Sequence, residues 1–106
     1  MYSRIITCTI EPSRIDEFRT VLNLEFLPRI QNQPGFIENL ESLDDATGEF
    51  CCMTLWNSKA DVENYDRSLF QEVASKLGPM MKGDPVVKNL PVENSSMHRI
   101  AAGKAA

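Results

Sequence analysis

The sequence predicts an α+β fold of the ferredoxin-like type, with the element order β-α-β-β-α-β. Three observations support this: a hairpin pattern between Gln33 and Trp56, an amphipathic helical pattern on either side of it, and a strand pattern near each end of the domain. In this fold four strands form one antiparallel sheet, and helices cover one of its faces. The other face then needs cover, and a second copy of the chain is the simplest source.

The hairpin is the clearest local signal. Two runs suited to half-buried strands flank the polar turn 44–48, which contains Gly48. On the second strand the side chains would alternate between two faces: Phe50, Cys52, Thr54 and Trp56 on one, and Cys51, Met53 and Leu55 on the other. Because both sets are largely apolar, we expect both faces of this strand to be covered.

The segment before the hairpin predicts a strand and then a helix. Residues 2–10 are β-branched at most positions, which suits a strand. Ser13 precedes Asp16 by the spacing of a helix cap, so a helix should start there. Apolar residues then recur at helical spacing: Ile15, Phe18, Val21, Leu22, Phe26, Leu27 and Ile30. Pro28 should kink the helix or restart its last turns, because it lacks a backbone N–H.

The segment after the hairpin predicts a second helix and a last strand. Ser58 and Asp61 form a second capping pattern. An apolar stripe follows: Val62, Tyr65, Leu69, Val73, Leu77 and Met80. The Gly78-Pro79 pair predicts a bend or a short separate helix, and residues 83–85 predict the end of the helical segment. Residues 86–92 then predict the last strand.

Composition excludes several classes of function. The 106 residues suit one domain over 1–92, followed by a polar tail over 93–106. A net charge of −4 without a basic cluster offers no surface for nucleic acid. No apolar run is long enough to span a membrane and no signal peptide is visible, so we expect no membrane partner and a cytoplasmic location. Three cysteines and one histidine predict neither a disulfide framework nor a metal site.

Several segments resemble the antibiotic biosynthesis monooxygenase (ABM) family. They are Gln33-Pro34-Gly35-Phe36, the hairpin ending in Trp56, Asn57-Ser58-Lys59-Ala60, and Leu77-Gly78-Pro79-Met80-Met81, and the resemblance spans roughly residues 3–92. It implies a dimeric α+β barrel in which two sheets face each other. The superfamily includes cofactor-free oxygenases of aromatic polyketides, quinol oxygenases, haem-degrading enzymes and members without known activity. The oxygenase members imply that no cofactor is needed.

The chain departs from the family pattern at informative positions. In the polyketide-oxidising members a Trp at the position of Trp56 lines the pocket and an Asn lies four residues before it, where this chain has Cys52. Many members carry a His nine residues after that Trp, where this chain has Tyr65. Haem degraders need an axial His on that helix and an Asn on the first strand, which here offers Thr7 and Thr9. The resemblance therefore disfavours haem degradation.

The candidate catalytic residues are Trp56 and Tyr65. Indole and phenol rings can stack on a planar aromatic substrate, and each offers one hydrogen-bond donor. The candidate substrate-binding residues are Cys52, Phe50, Cys8 and Met80. The simpler alternative is that Trp56 anchors the core and Tyr65 is a half-buried packing residue.

The leading hypothesis is a homodimeric, cofactor-independent monooxygenase that acts on a quinol-like or polycyclic aromatic small molecule. Such a substrate becomes an electron-rich phenolate or enolate that passes an electron to dioxygen, so the protein has only to bind, deprotonate and stabilise charge. The sequence shows no clear base, and His98 lies in the tail, where we expect a surface residue. The rival hypothesis is a non-catalytic binding or regulatory dimer, which the absent Asn and His favour.

Overall fold

The predicted ferredoxin-like architecture of the single chain is confirmed. The structure is a computed structural model that describes residues 1–98 and the backbone of residues 100, 101, 104 and 105. Its main sheet has four antiparallel strands in the order β2-β3-β1-β4: β1 (Tyr2–Ile10), β2 (Phe36–Leu43), β3 (Glu49–Trp56) and β4 (Met81–Pro91). The helices lie on one face of this sheet, and within the described residues none is long and apolar enough to cross a membrane.

The first helical segment has four parts. They are a 3-10 turn (Pro12–Arg14), α1 (Ile15–Thr20), a π-helical segment (Val21–Phe26) and α2 (Leu27–Gln31). The predicted cap at Ser13 is wrong, because Ser13 lies inside the 3-10 turn and no side chain caps α1. Pro28 is the second residue of α2, so its missing N–H falls where the helix has just restarted. The restart predicted at Pro28 is therefore confirmed.

The second helical segment is interrupted once more than predicted. It contains α3 (Lys59–Arg67), α4 (Leu69–Leu77) and a 3-10 turn (Gly78–Met80). Ser58 Oγ accepts a hydrogen bond from the Asp61 N–H at 3.2 Å, which confirms the predicted cap. The break between α3 and α4 falls at Ser68, whose Oγ donates to the Asn64 carbonyl at 2.7 Å. This side chain competes with the backbone for the carbonyl and favours the break.

The last strand is longer than predicted. It begins at Met81 rather than Val86, and residues 83–85 lie inside it. The register of β4 against β1 shifts in this region, as at a β-bulge. Gly83 has a φ of 72° and Pro85 has no N–H to donate, and a bulge accommodates both. The Gly-Asp-Pro sequence therefore marks an irregular strand.

The hairpin turn has the predicted position. The Gly48 N–H donates to the Asp44 carbonyl at 2.8 Å, and Gly48 has a φ of 80°. A Cβ at Gly48 would lie 2.2 Å from the Ile10 carbonyl oxygen. Both the backbone conformation and the close approach to β1 therefore require glycine here.

The core lies between the helices and the inner face of the sheet. Its buried residues are Ile10, Ile15, Phe18, Leu22, Phe26, Ile30, Phe50, Trp56, Val62, Tyr65, Leu69, Val73, Leu77 and Met80. The opposite face, which we call the outer sheet face, carries Leu40, Met53, Leu55, Val86 and Leu90. Leu40 is 64% exposed, Val86 54% and Leu90 48%. Within the described part of a single chain, this face of β3 is therefore not fully covered.

The end of the domain and the polar tail both contact earlier parts of the chain. The Val92 N–H donates to the Met1 carbonyl at 3.0 Å, and His98 Nε2 lies 2.9 Å from Glu38 Oε2. Two short strands, β5 (Ile100–Ala101) and β6 (Lys104–Ala105), pair with each other. Residues 99, 102, 103 and 106 of the predicted tail lie outside the described residues. His98 is half-buried and contacts an acidic side chain.

Candidate active site

A cavity of about 240 Å³ lies between the inner sheet face and the helices. Most of its lining is apolar: Ile6, Phe18, Leu22, Ile30, Phe50, Phe70, Val73, Ala74, Leu77, Gly78, Met81 and Pro85. A smaller set of lining residues is polar: Arg4, Asn39, Glu41, Cys52, Thr54, Tyr65 and Asp84. An apolar space with a few polar groups is typical of a small-molecule site.

Strand pairing brings the polar side chains together. Two cross-strand rows of side chains line the cavity from the sheet side. One row is made of Asn39, Thr54 and Arg4, and the other is made of Glu41, Cys52 and Ile6. Side chains two residues apart on a strand share a face, so both rows point toward the helices. The first row places an amide, a hydroxyl and a guanidinium side by side, and the second adds a carboxylate and a thiol.

Trp56 is absent from the cavity lining but contacts one of the lining residues, Tyr65. The Trp56 side chain is fully buried, and its ring stacks on Tyr65 with centroids 5.0 Å apart and an interplanar angle of 27°. Phe36 meets the indole edge-on at 5.6 Å. The indole Nε1–H donates to Thr54 Oγ1 at 2.9 Å. The structure thus places Trp56 where it fixes the position of Tyr65, with its own donor already engaged.

Tyr65 lines the cavity directly. Burial raises the pKa of its phenol to about 12, and the neighbouring Arg4 cation opposes this rise. The phenol therefore stays protonated at neutral pH. In this form Tyr65 can donate a hydrogen bond to a ligand oxygen but cannot act as a base.

Cys52 and Phe50 also line the cavity. The Cys52 thiol donates to Asn39 Oδ1 at 3.1 Å. Burial raises the pKa of Cys52 to about 12, and the nearby Glu41 carboxylate adds to this rise. Cys52 is therefore a protonated polar group of the wall at neutral pH and not a thiolate nucleophile.

The other two predicted binding residues lie elsewhere. Cys8 is paired with Phe50 and lines a separate open groove near the hairpin turn. Burial raises the pKa of its thiol to about 11. Met80 is 3% exposed and belongs to the core, whereas the next residue, Met81, lines the cavity. The structure therefore brings Tyr65, Cys52 and Phe50 together in the lining and leaves Trp56, Cys8 and Met80 outside it.

Arg4 is a polar lining residue that the sequence analysis missed. It is 2% exposed, and its Nε–H donates to Asp66 Oδ1 at 2.6 Å. The guanidinium lies 4.0 Å from the centroid of the Phe70 ring and 5.5 Å from that of Tyr65. Strand alternation could have indicated this position. Arg4 lies two residues before the apolar Ile6 on β1, so both side chains are on the inner face of the sheet.

Asn39 and Glu41 were missed as well. Asn39 Nδ2 donates to Glu41 Oε1 at 2.9 Å, and its Oδ1 accepts from the Cys52 thiol. Asn39 thus places an amide beside Cys52, from β2. Glu41 places a carboxylate in the cavity lining. Within the described residues, no group of three or more His, Cys, Asp or Glu is arranged to hold a metal ion.

Comparisons with known proteins extend this description. No protein-family model and no curated protein sequence matches the chain. Among solved structures, an antibiotic biosynthesis monooxygenase aligns with a TM-score of 0.74 and 17% identity, over 87% of this chain and 98% of that chain. The chain therefore has the ABM fold. The predicted resemblance to this family is confirmed at the level of architecture.

Two further ABM-fold structures carry more specific descriptions. A monooxygenase of Streptomyces coelicolor, solved with the ligand nanaomycin D, aligns with a TM-score of 0.75 and 13% identity over 89% of this chain and 88% of that chain. SnoaB of Streptomyces nogalater, a cofactor-independent oxygenase, aligns with a TM-score of 0.74 and 13% identity over 90% and 95%. At these identities the likeness concerns the fold.

Proposed function

We propose that this ABM-fold protein is a cofactor-independent monooxygenase that acts on a quinol-like or polycyclic aromatic small molecule. The observation that carries the proposal is the cavity, in which apolar side chains surround a small polar set and the Tyr65 ring is held by Trp56. A planar ring can stack in such a space while its oxygen substituents meet the polar groups. A cofactor-independent oxygenase shares the fold, which supports the same reaction type.

The reaction requires only the substrate and dioxygen. In an anthrone-like substrate, a ring methylene loses two hydrogens and gains one oxygen atom as a carbonyl, while the second oxygen atom leaves as water. The substrate supplies all the electrons, so no external reductant is needed. The protein binds the ring, accepts a proton from it and limits access of water.

Glu41 is the proposed proton acceptor. Its carboxylate lines the cavity and is oriented by the Asn39 amide at 2.9 Å. Tyr65 and Cys52 are unsuited to this role, because burial raises the pKa of each to about 12 and keeps both protonated at neutral pH. Tyr65 serves instead as a hydrogen-bond donor to a substrate oxygen.

The functional unit in this proposal is a homodimer formed through the outer sheet face. Leu40, Val86 and Leu90 leave an exposed apolar surface there, with half-buried Met53 and Leu55 between them. Contiguous exposed apolar surface of this kind is typical of an interface, and a symmetric dimer would bury it on both copies. The cytoplasmic location stays a prediction.

A non-catalytic binding module is the second candidate. One observation favours it: at about 240 Å³, the cavity lies below the range of about 300–1,000 Å³ that is usual for ligand pockets, which leaves little room for the oxidation of a polycyclic substrate. In that case the protein would hold a small aromatic metabolite without oxidising it.

Oxygen uptake tests the proposal. The purified protein is incubated in air with naphthoquinols and with anthrone, and spontaneous oxidation without protein is subtracted. We expect Glu41→Gln to lower the rate by about a hundredfold, which is typical for loss of a positioned base. Tyr65→Phe should also lower it, whereas Tyr2→Phe removes the chain's other phenol, which is absent from the cavity lining, and should leave it unchanged.

Two outcomes separate the candidates. If the wild-type rate equals that of a double variant carrying Trp56→Phe and Tyr65→Phe, the oxygenase proposal is wrong. Binding of the quinol, measured by equilibrium dialysis without oxygen, together with no protein-dependent oxygen uptake would establish the binding module.

A further inference from the structure

We infer that the cavity binds its aromatic ligand as an anion, and that Arg4 holds the ionised ring oxygen. The inference rests on the proposed function only for the class of ligand, an aromatic small molecule that carries a hydroxyl group. It does not require that the ligand be oxidised.

The first support is the hydrogen bonding of Arg4. Its Nε–H is engaged by Asp66 at 2.6 Å, and among the described residues its two terminal nitrogens have no hydrogen-bond partner. Yet no fully buried side-chain nitrogen or oxygen in the described part of the chain lacks a partner. The terminal nitrogens therefore keep some accessible surface, and Arg4 is one of the residues that line the cavity.

The second support is charge. Arg4 is 2% exposed, and Asp66, its acidic partner among the described residues, is 29% exposed and also accepts from Asn89 Nδ2 at 3.0 Å. Burying a guanidinium costs free energy unless its charge and its donors are compensated. Asp66 compensates one edge of the group. An anionic oxygen on the cavity side would compensate the other.

The third support is orientation. The guanidinium lies over the Phe70 ring at 4.0 Å and near the Tyr65 ring at 5.5 Å. Together with the Asp66 hydrogen bond, these contacts fix the position and direction of the terminal N–H groups. Tyr65, protonated at neutral pH, lies beside them as an additional donor. An ionised oxygen attached to a flat ring suits this arrangement, because the oxygen meets donors while the ring meets aromatic surface.

The remaining charged groups of the lining decide where the anion can lie. Glu41 from β2 and Asp84 from β4 are carboxylates that would repel it, whereas Cys52 is protonated at neutral pH. The oxygen is therefore drawn toward Arg4 and away from the two carboxylates. A cation within about 4–6 Å lowers the pKa of an acid by about 1–3 units. For Tyr65 burial outweighs this effect of Arg4, and among the described residues no hydrogen bond joins the two side chains. The ligand oxygen, in contrast, would accept directly from the terminal N–H groups of Arg4, so the bound phenol should ionise more readily than the free phenol.

The test uses 4-nitrophenol, whose ionised form absorbs visible light, and 4-nitroanisole, its methyl ether, which cannot ionise. The absorbance of bound 4-nitrophenol is followed between about pH 6 and 9, and the affinity of both compounds is measured by equilibrium dialysis. We expect the pKa of bound 4-nitrophenol to lie at least about one unit below that of the free compound, which corresponds to an at least tenfold preference for the anion. The affinity for 4-nitroanisole should stay the same across this pH range and should be weaker than the affinity for 4-nitrophenol above neutral pH.

Variants assign the effect to Arg4. Arg4→Met should abolish the pKa shift, and Arg4→Lys should keep part of it because the charge remains. Arg67→Met is the matched control, because Arg67 is 68% exposed on α3 and absent from the cavity lining, and it should retain the full shift. Asp66→Asn keeps the Arg4 charge and removes its competing anion, so it should retain or enlarge the shift even if Arg4→Met does not fold.

The outcomes distinguish this inference from the proposed function. If 4-nitrophenol binds with an unchanged or raised pKa, or if Arg4→Met retains the shift, Arg4 is not the anion site, although the cavity still binds aromatic compounds. If neither 4-nitrophenol nor 4-nitroanisole binds, both the inference and the aromatic ligand of the proposed function are wrong.

Discussion

Arg4 and Asp66 join the first strand to the third helix through a hydrogen-bonded ion pair, with Arg4 Nε 2.6 Å from Asp66 Oδ1. The pair links residues 62 positions apart in the sequence, and Arg4 is almost fully buried. Removing one partner of a buried pair leaves the other charge uncompensated. We therefore expect Asp66→Ala to lower the free energy of unfolding by about 3 kcal/mol, as measured by urea unfolding.

The matched control for this ion pair is Asp16→Ala. Asp16 also pairs with an arginine, with its Oδ1 3.3 Å from Arg19 Nη1, but the Asp16 side chain is fully exposed. Because exposed ion pairs contribute little to the free energy of unfolding, Asp16→Ala should have the same urea midpoint of unfolding as wild type. Equal effects of the two substitutions would show that the Arg4–Asp66 pair does not stabilise the fold.

Buried thiols and a buried phenol should make the fold sensitive to alkaline pH. Burial raises the pKa of Cys52 from 9.0 to about 12 and that of Tyr65 from 10.0 to about 12. Their contribution to stability is complete below about pH 9, where the unfolded chain also keeps these protons, and it is lost as the pH rises toward 12. Above the unfolded-state pKa, each group should lower the free energy of unfolding by about 1.4 kcal/mol per pH unit.

Urea unfolding between about pH 8 and 11 measures this loss. Tyr65→Phe removes one titrating group from the cavity wall, so its stability should decline less steeply above pH 10. Tyr2→Phe provides the comparison, since it removes a phenol that does not line the cavity. If the free energy of unfolding falls equally steeply with pH in wild type and in Tyr65→Phe, the alkaline loss of stability does not come from Tyr65.

The fold was predictable from sequence because its main signals are local. The Gly48 turn, the Ser58 cap and the alternation of apolar residues on β3 are each set by a few neighbouring residues. The features missed depend on distant contacts or on competing side chains. The bulge that places residues 83–85 inside β4 exists because that segment pairs with β1, and the break at Ser68 depends on a hydrogen bond to Asn64.

The site was predictable in part, for a related reason. Alternation along β3 placed Cys52 and Phe50 on the helix side, and the structure puts both in the cavity lining. Arg4, Asn39 and Glu41 are polar residues on strands, and such residues usually face solvent. Only the pairing of three strands shows that they converge on one cavity, and the strand register cannot be read from the sequence alone.

Two glycines should respond oppositely to substitution by alanine. At Gly48 a Cβ would lie 2.2 Å from the Ile10 carbonyl oxygen, and φ is 80°, so Gly48→Ala should destabilise the protein by at least about 1–3 kcal/mol. At Gly78 nothing lies within 4 Å of the added Cβ, and φ is −53°. Gly78→Ala should therefore stabilise the protein by about 0.4–1 kcal/mol, because it restricts the unfolded chain.

Thermal unfolding of both glycine variants measures the difference. The comparison is internal, since each variant adds one methyl group to the same protein. A Gly48→Ala protein as stable as wild type would mean that the turn can move away from β1 without cost.

A charge placed on the outer sheet face should separate the proposed dimer into monomers. Leu40 is 64% exposed and pairs with Met53 on that face, so Leu40→Glu would bury a carboxylate in the dimer interface. Leu24→Glu is the matched control, because Leu24 is 76% exposed but lies on the first helical segment, away from the sheet. Sedimentation velocity should show a dimer for wild type and Leu24→Glu, and a monomer for Leu40→Glu. A wild-type protein that sediments as a monomer over a broad range of concentrations would refute the dimer, and the exposed leucines and valine would then face solvent.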